Sequence, residues 1–394
     1  MADEMKVALV YDRVNKWGGA ERVLLTLHEI WPEAPLFTSV YDSQKAPWAN
    51  VFRVIPSFLQ SFPLAKSNHE IYPLLMPMAF ESFSFNEYDI VISVTSEAAK
   101  GIITKPRSLH ICYCLTPTRY LWSGYGQYLD ARWKKSLGRF PIAYLRKWDK
   151  IAAMRPDEYV AISRTVQGRI KNYYHHESEV VYPPVETRKF EILNPKSEIT
   201  AFGGIPSNGG TNTKYKIPNT KYFLVVSRLV KYKKVDLVVE AFNQLGWNLK
   251  IVGVGREMRA LREKGENNIE FLGQLTDEEL IGYYQNCQAV IYPQEEDFGL
   301  VPLEAQACGK PVIAFGKGGI LETIIEGETG IFFGEQTAES LVRAVRDFGD
   351  VGLKINPKDC RRQAEKFSKE RFKKEFKDLI EEKWQNHTKT IFTH

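Results

Sequence analysis

The chain has 394 residues, more than one ordinary hydrophobic core accommodates, so two domains are expected. Its 44% hydrophobic and 26% charged content is that of a globular protein in water. A net charge of +5 is too mild to point to nucleic acid, and no stretch approaches the ~20 apolar residues that span a bilayer.

The first strand-like run is Lys6 to Tyr11, followed by a glycine-containing turn and a helix from about Gly19 to Ile30. Asp89 to Val94, Leu109 to Cys114 and Glu158 to Ser163 repeat the short, continuously apolar pattern of a buried strand. Strand, loop and helix in alternation predict a parallel sheet covered on both faces. After Val181 the texture changes: Tyr182-Pro183-Pro184 breaks any regular element, and residues 191 to 220 are rich in Asn, Gly, Pro, Ser and Thr. That composition predicts a mobile insertion beside an interdomain linker. A second series follows, with strands at Tyr222 to Ser227, Asn248 to Val252, Ile269 to Leu272, Ala289 to Tyr292 and Pro311 to Phe315 and a helix at Val235 to Leu245. The chain closes on a charged amphipathic helix pair, roughly 357 to 386. Two such series predict a bilobed α/β protein with ligands at the carboxyl ends of its strands.

Cys112, Cys114, Cys287, Cys308 and Cys360 are odd in number and scattered, which predicts buried free thiols rather than disulfides or a zinc site. The N-terminus shows no apolar signal-peptide region, so a cytoplasmic location is expected.

Three segments bear on chemistry. In Tyr292 to Gly309, Glu296 and Glu304 flank seven residues that run from a strand end through Gly299 into a helix start. The amides of Phe298, Gly299 and Leu300 would open that helix and offer an anion site. Spacing alone fits equally an acidic loop residue at 296 and a surface helix residue at 304. In Ser227 to Asp236, Arg228, Lys231, Lys233 and Lys234 follow a buried strand, where a guanidinium fork and ammonium charges suit a diphosphate. A solvated charge run is the plain alternative. Near the start, Gly18-Gly19 open a helix without the full dinucleotide fingerprint, and they fit a helix cap or a close approach to phosphate alike. Gly253-Val-Gly255 is a weaker signal of the same kind.

Taken together, Gly18-Gly19-Ala20-Glu21-Arg22, Ser227-Arg228 with Lys233, Phe271-Leu272-Gly273, the Glu296 to Glu304 segment and Gly318-Gly319 resemble the retaining glycosyltransferases of family 4. Cys112 to Trp122 is similar to a branch that includes O-antigen mannosyltransferases such as WbaZ. The resemblance implies the GT-B fold, two Rossmann-like domains facing across a cleft with a C-terminal helix crossing back to the first. The expected limits are 1–187 with about 373–394 for the acceptor domain, 188–220 for the linker, and 221–372 for the donor domain.

The resemblance also implies roles. Arg228 and Lys233 would hold the donor diphosphate, Glu304 the ribose, and Glu296 the transferred sugar. The amides of Phe298, Gly299, Leu300 and Val301 would flank sugar and phosphate, Phe271 and Leu272 would lie beside the base, and Gly18 and Gly19 would close over the phosphates. Thr116, Arg119, Tyr120 and Trp122 would lie on the acceptor side. The chain has Leu115 where this branch carries a histidine, and His110 on the same strand reads as a core histidine.

Transfer would need no cofactor and no metal, and the sequence contains no Asp-x-Asp. GDP-mannose is the favoured donor with UDP-sugars next, and the acceptor would be a glycan or a polyprenyl-linked glycan in surface polysaccharide synthesis. Between Ala131 and Arg155 eight Lys or Arg residues stand against the single acid Asp149, with aromatics interleaved. That composition suits peripheral contact with an anionic membrane at its inner face, or a solvated helix packed on the first domain. Phe58 to Phe85 is an apolar-aromatic stretch suited to an acceptor entrance. A GT-B-fold nucleotide-sugar epimerase and a non-catalytic nucleotide-sugar-binding protein remain as alternatives.

Overall fold

The computed structural model describes residues 5–123, 139–191, 221–351 and 354–392. Most of the expected insertion, residues 192–220, and the basic residues 132–135 lie outside them. The chain divides into two compact units, Met1–Pro184 with Lys369–His394, and Val185–Ser368.

The first unit is built on seven parallel strands: β1 Val7–Tyr11, β2 Leu36–Thr38, β3 Val54–Pro56, β4 Ile90–Thr95, β5 Leu109–Cys114, β6 Glu158–Ala161 and β7 Glu179–Val180. Their order is β3-β2-β1-β4-β5-β6-β7. β1, β4 and β5 are buried at every position, as strands covered on both faces must be, which is why they read as unbroken apolar runs. Helices α1 (Gly19–Ile30), α2 (Arg139–Ala152) and α3 (Arg164–Tyr174) accompany them. His110 sits in this sheet with no exposed surface, its Nε2 2.9 Å from Ser93 Oγ. Burial holds its imidazole neutral, with the pKa lowered to about 3. It is a core residue, as expected.

The second unit has six parallel strands: β8 Phe223–Val226, β9 Leu249–Val252, β10 Ile269–Gly273, β11 Val290–Tyr292, β12 Val312–Phe315 and β13 Gly330–Phe333. They run in the order β10-β9-β8-β11-β12-β13. Val238 and Phe242 of α4 (Val235–Leu245) join Leu341 and Val345 of α7 (Ala338–Val351) in one core cluster. Tyr284 of α5 (Asp277–Asn286) and Ala305 of α6 (Leu300–Ala307) belong to the other. Thr276 and Glu279 start α5 with a reciprocal capping box. The strand order reverses between β8 and β11. Connections leaving those two neighbours therefore diverge, opening a crevice at their carboxyl ends.

The expected terminal helix pair is found but shared. Pro357–Glu365 belongs to the second unit, whereas α8 (Lys369–Phe392) belongs to the first. Phe372 and Phe376 pack on Tyr113 of β5 at 5.9 and 5.3 Å, and Lys369 and Lys373 pair with Glu29 of α1. All five cysteines are buried and free, and burial pushes the thiols of Cys287, Cys308 and Cys360 up to about 12. They are structural groups rather than reactive ones.

Candidate functional site

The crevice of the second unit gathers the residues singled out in its sequence. The connection after β8 carries Arg228 and then a short 3-10 turn, Lys231–Lys233; the connection after β11, the neighbouring strand, carries Glu296. Lys233 Nζ donates to Glu296 Oε1, with both side chains mostly withdrawn from solvent. Arg228 donates to the hydroxyl of Tyr232, whose ring lies 5.9 Å from the guanidinium and 5.5 Å from the Lys233 ammonium. Tyr232 was not anticipated; it lay unmarked inside a run read for its charges. The arrangement holds two cations and a carboxylate on adjacent strand ends.

Two close backbone approaches fix this geometry. Gly253 follows β9, and a Cβ there would stand 1.9 Å from the carbonyl oxygen of Ser227, so the β9 connection can press on the Arg228 loop only without a side chain. Gly319 donates its N–H to the Glu296 carbonyl at 2.8 Å, and a Cβ on it would come within 2.2 Å of the Asp297 carbonyl. Gly318-Gly319 thus hold the Glu296 loop from the side of β12.

Helix α6 begins at Leu300, and Gly299 before it has no side chain with which to cap the helix. The first amides of α6 therefore carry no side-chain cap from Gly299 and stand at the positive end of the helix dipole. Glu304, one turn in, is no surface residue: it is 3% exposed, and its Oε2 accepts from Tyr284 OH at 2.8 Å. Phe298 is buried against Phe367 at 5.6 Å, whereas Val301 is half-buried. Phe271 and Leu272 lie on β10 at the edge of the sheet, where Arg262 approaches the Phe271 ring at 5.9 Å. Beside Arg262 opens a cavity of about 540 Å³ that Gly255, Arg256 and Arg259 also line.

In the first unit, Gly18 precedes α1 and Gly19 is its first residue, after the connection from β1. Gly18 is in extended backbone, so its conformation alone does not demand glycine. Next to it, Glu21 is buried and accepts from Tyr11 OH at 2.6 Å. Asp12, 3% exposed, ties the connection after β4 to β1, accepting from Thr95 Oγ1 at 2.8 Å and from the amides of Ser96, Ala98 and Ala99 at 2.7–2.9 Å.

The segment after β5 carries Leu115, Thr116, Arg119, Tyr120 and Trp122. Thr116 is buried, with Arg169 of α3 3.4 Å from its hydroxyl. Burial raises the phenol of Tyr120 well above its ordinary value, and the nearby Glu97, Asp149 and Asp12 add to the shift. The Trp122 ring stacks on Tyr173 at 5.3 Å, with Arg146 and Lys150 of α2 5.9 and 5.6 Å from its centre. These two basic residues of the 131–155 run are therefore engaged with the protein itself. In the Phe58 to Phe85 stretch, Phe58, Phe62, Leu64, Ile71, Leu74 and Met78 are exposed while Phe80 and Phe85 are core.

Comparison with known proteins bears on both units. Residues 212–367, which hold Arg228, Lys233, Glu296 and Glu304, match the family described as glycosyl transferases group 1. Over 95% of the chain also superposes on solved structures. The sucrose-phosphate synthase of Thermosynechococcus elongatus does so with a TM-score of 0.70 at 16% identity, covering 97% of this chain and all of that one. Anabaena HepE, solved in complex with UDP-glucose, does so with a TM-score of 0.66 at 16% identity, covering 96% of this chain and all of HepE. The fold is that of the GT-B glycosyltransferases. In sequence, the chain is 26% identical over 289 residues to the alpha-1,3/1,6-mannosyltransferase ALG2 of Dictyostelium discoideum, covering 65% of this chain. That match spans 66% of ALG2, slightly under two thirds of its length.

Proposed function

We propose that the chain is a retaining, metal-independent glycosyltransferase that moves a sugar from a nucleotide-sugar to a glycan or lipid-linked glycan. The observation that carries this reading is the meeting of Arg228, Lys233 and Glu296 at the strand-order reversal of the second sheet, ahead of α6. Arg228 and Lys233 serve as the cations for the donor diphosphate, and the opening amides of α6 add fixed dipoles beside them. Glu304 accepts from the ribose hydroxyls, and Glu296 exchanges its contact with Lys233 for hydroxyls of the transferred sugar.

The reaction breaks the bond between the anomeric carbon and the diphosphate oxygen and forms one from that carbon to an acceptor hydroxyl on the same face. The departing phosphate oxygen takes the acceptor proton. Charge accumulates on the diphosphate as its bond breaks, so preorganised cations act where the transition state differs most from the bound donor. No carboxylate nucleophile is required, in contrast to a retaining glycosidase.

Mannose from GDP-mannose is the favoured transfer, supported by the likeness to a mannosyltransferase; the UDP-glucose complex of HepE makes UDP-sugars next. A thermal-shift screen of GDP, UDP and ADP and their sugars identifies the base. Incubation of the stabilising labelled donor with and without a polyprenyl-diphosphate-linked oligosaccharide then tests the reaction. Acceptor-dependent transfer is expected. Isomerised donor would mark an epimerase, and binding with no turnover a non-catalytic protein.

Peripheral contact with an anionic membrane belongs to the same reading, at the cytoplasmic face. Among the described residues no helix is long and apolar enough to cross a bilayer. The outer side of α2 and the residues after it expose Tyr144, Lys147, Ile151 and Met154, an apolar and basic mixture suited to an interface. Flotation with vesicles containing anionic lipid is expected to carry the protein up at low salt and release it as salt is raised; failure to float at low salt removes this part of the proposal.

A further inference from the structure

The single acid of the basic 131–155 run has a place that its neighbours do not share. Asp149 lies on the inner side of α2, 1% exposed, and its carboxylate accepts four hydrogen bonds from three other parts of the first unit. Lys100, in the connection after β4, donates to Oδ1 at 2.6 Å. Thr118 donates to the same oxygen at 2.8 Å, and Trp122 Nε1 donates to Oδ2 at 2.7 Å. Tyr174 at the end of α3 donates to Oδ2 at 2.9 Å, and its hydroxyl in turn accepts from the Thr118 amide at 3.3 Å. Two of these four donors stand on the segment after β5, at its middle and its end.

The charges balance inside the protein. Lys100 is 1% exposed and its ammonium lies 5.4 Å from the ring of Tyr174. Burial alone would lower its pKa, but Asp149 opposite more than offsets this and leaves it above its ordinary value. An ion pair so deeply buried is a costly way to gain stability, because apolar residues of the same volume would serve as well. Its four-fold hydrogen bonding does something apolar residues cannot: it fixes the position of each donor. Helix α2 reinforces the grip, since Arg146 Nε donates to the Leu121 carbonyl at 2.8 Å.

We propose that Asp149 is a positioning residue for the acceptor side, holding residues 116–122 in their working arrangement through Thr118 and Trp122, with Lys100 as its counter-charge. The proposal rests on the reading of 116–122 as acceptor-side residues. It gives Asp149 no contact with substrate, and it separates acceptor handling from the donor cations Arg228 and Lys233, which belong to the other unit.

The test uses the full chain in three variants. Lys100→Met/Asp149→Leu removes both charges together, while Thr118→Val and Tyr174→Phe each remove one hydroxyl and keep the core filled. Amide exchange at 116–122 is expected to quicken about 10-fold or more in each, and the Trp122 indole N–H resonance to move upfield as its carboxylate partner is lost or shifts. With the stabilising nucleotide-sugar and a polyprenyl-diphosphate-linked oligosaccharide as acceptor probe, kcat/KM for the acceptor is expected to fall roughly 10–100-fold, the scale of a lost charged hydrogen bond. The Kd of the nucleoside diphosphate should stay within about twofold. Unchanged exchange at 116–122 in the hydroxyl variants overturns the proposal whatever the acceptor, as does an equal loss of donor and acceptor affinity. Arg119→Ala and Tyr120→Phe keep the two readings apart. If they impair acceptor use and the Asp149 set does not, only this inference fails; if neither set does, the acceptor-side reading fails with it.

Discussion

Lys233→Ala is expected to lower kcat/KM for sugar transfer by about 10²–10³-fold, the loss that follows removal of one preorganised group opposite a developing negative charge. Arg228→Ala is expected to fall in the same range, and the double variant by less than the product, because both side chains address one diphosphate. The loss appears mainly in kcat, since charge on the leaving oxygens grows as the bond breaks. Lys233→Arg is not a neutral exchange: the guanidinium is planar and bulkier, and the Glu296 carboxylate stands directly opposite the ammonium. Steady-state kinetics with the stabilising donor provides the measurement. Near-wild-type turnover in Lys233→Ala removes Lys233 from the donor site, and unchanged Tm in the same variant shows that the loss is not one of folding.

Glu304 gives the second large effect, of a different kind. Its carboxylate is buried and already accepts from Tyr284, so Glu304→Ala both empties a core position and removes that hydrogen bond. Glu304→Gln keeps the shape and one acceptor oxygen but removes the charge. Donor KM is expected to rise roughly 10–100-fold in Glu304→Gln with a smaller change in kcat, because the ribose is held equally in ground and transition states. Glu304→Ala should add a loss of about 1–3 kcal/mol in stability, read by urea denaturation. A donor KM within twofold of wild type in Glu304→Gln would sink the ribose assignment.

Much of the candidate site in the second unit could be read from the sequence because its signals are local. Arg228 and Lys233 stand a few residues after a run of apolar residues that only a buried strand explains, and Glu296 likewise. What spacing could not supply was the adjacency of those two strands, which are 66 residues apart in sequence at their paired positions Leu224 and Val290 and become neighbours only through the strand order. The same limit left Glu304 open between surface and interior, since its burial depends on Tyr284 from another helix. The strands that escaped notice, β2, β3, β7 and β13, span two to four residues each and hold no more than three apolar residues in a row. In the first unit the basic run around α2 was visible as charge. That its one acid is the buried member was not, because a composition count weighs every position alike.

The two units differ in how their chains are assembled. The second is one continuous stretch from Val185 to Ser368, whereas the first draws its last helix, α8, from beyond the whole of the second. Phe372 and Phe376 of α8 are fully buried on Tyr113, so the first unit's interior is left open until a segment about 190 residues further along arrives. Order of synthesis and order of completion are thus reversed: the unit translated first is the one finished last. The nascent protein therefore carries a wet aromatic face on β5 throughout the making of its second unit, and any change that shortens or unzips α8 acts on the first unit, far back along the chain.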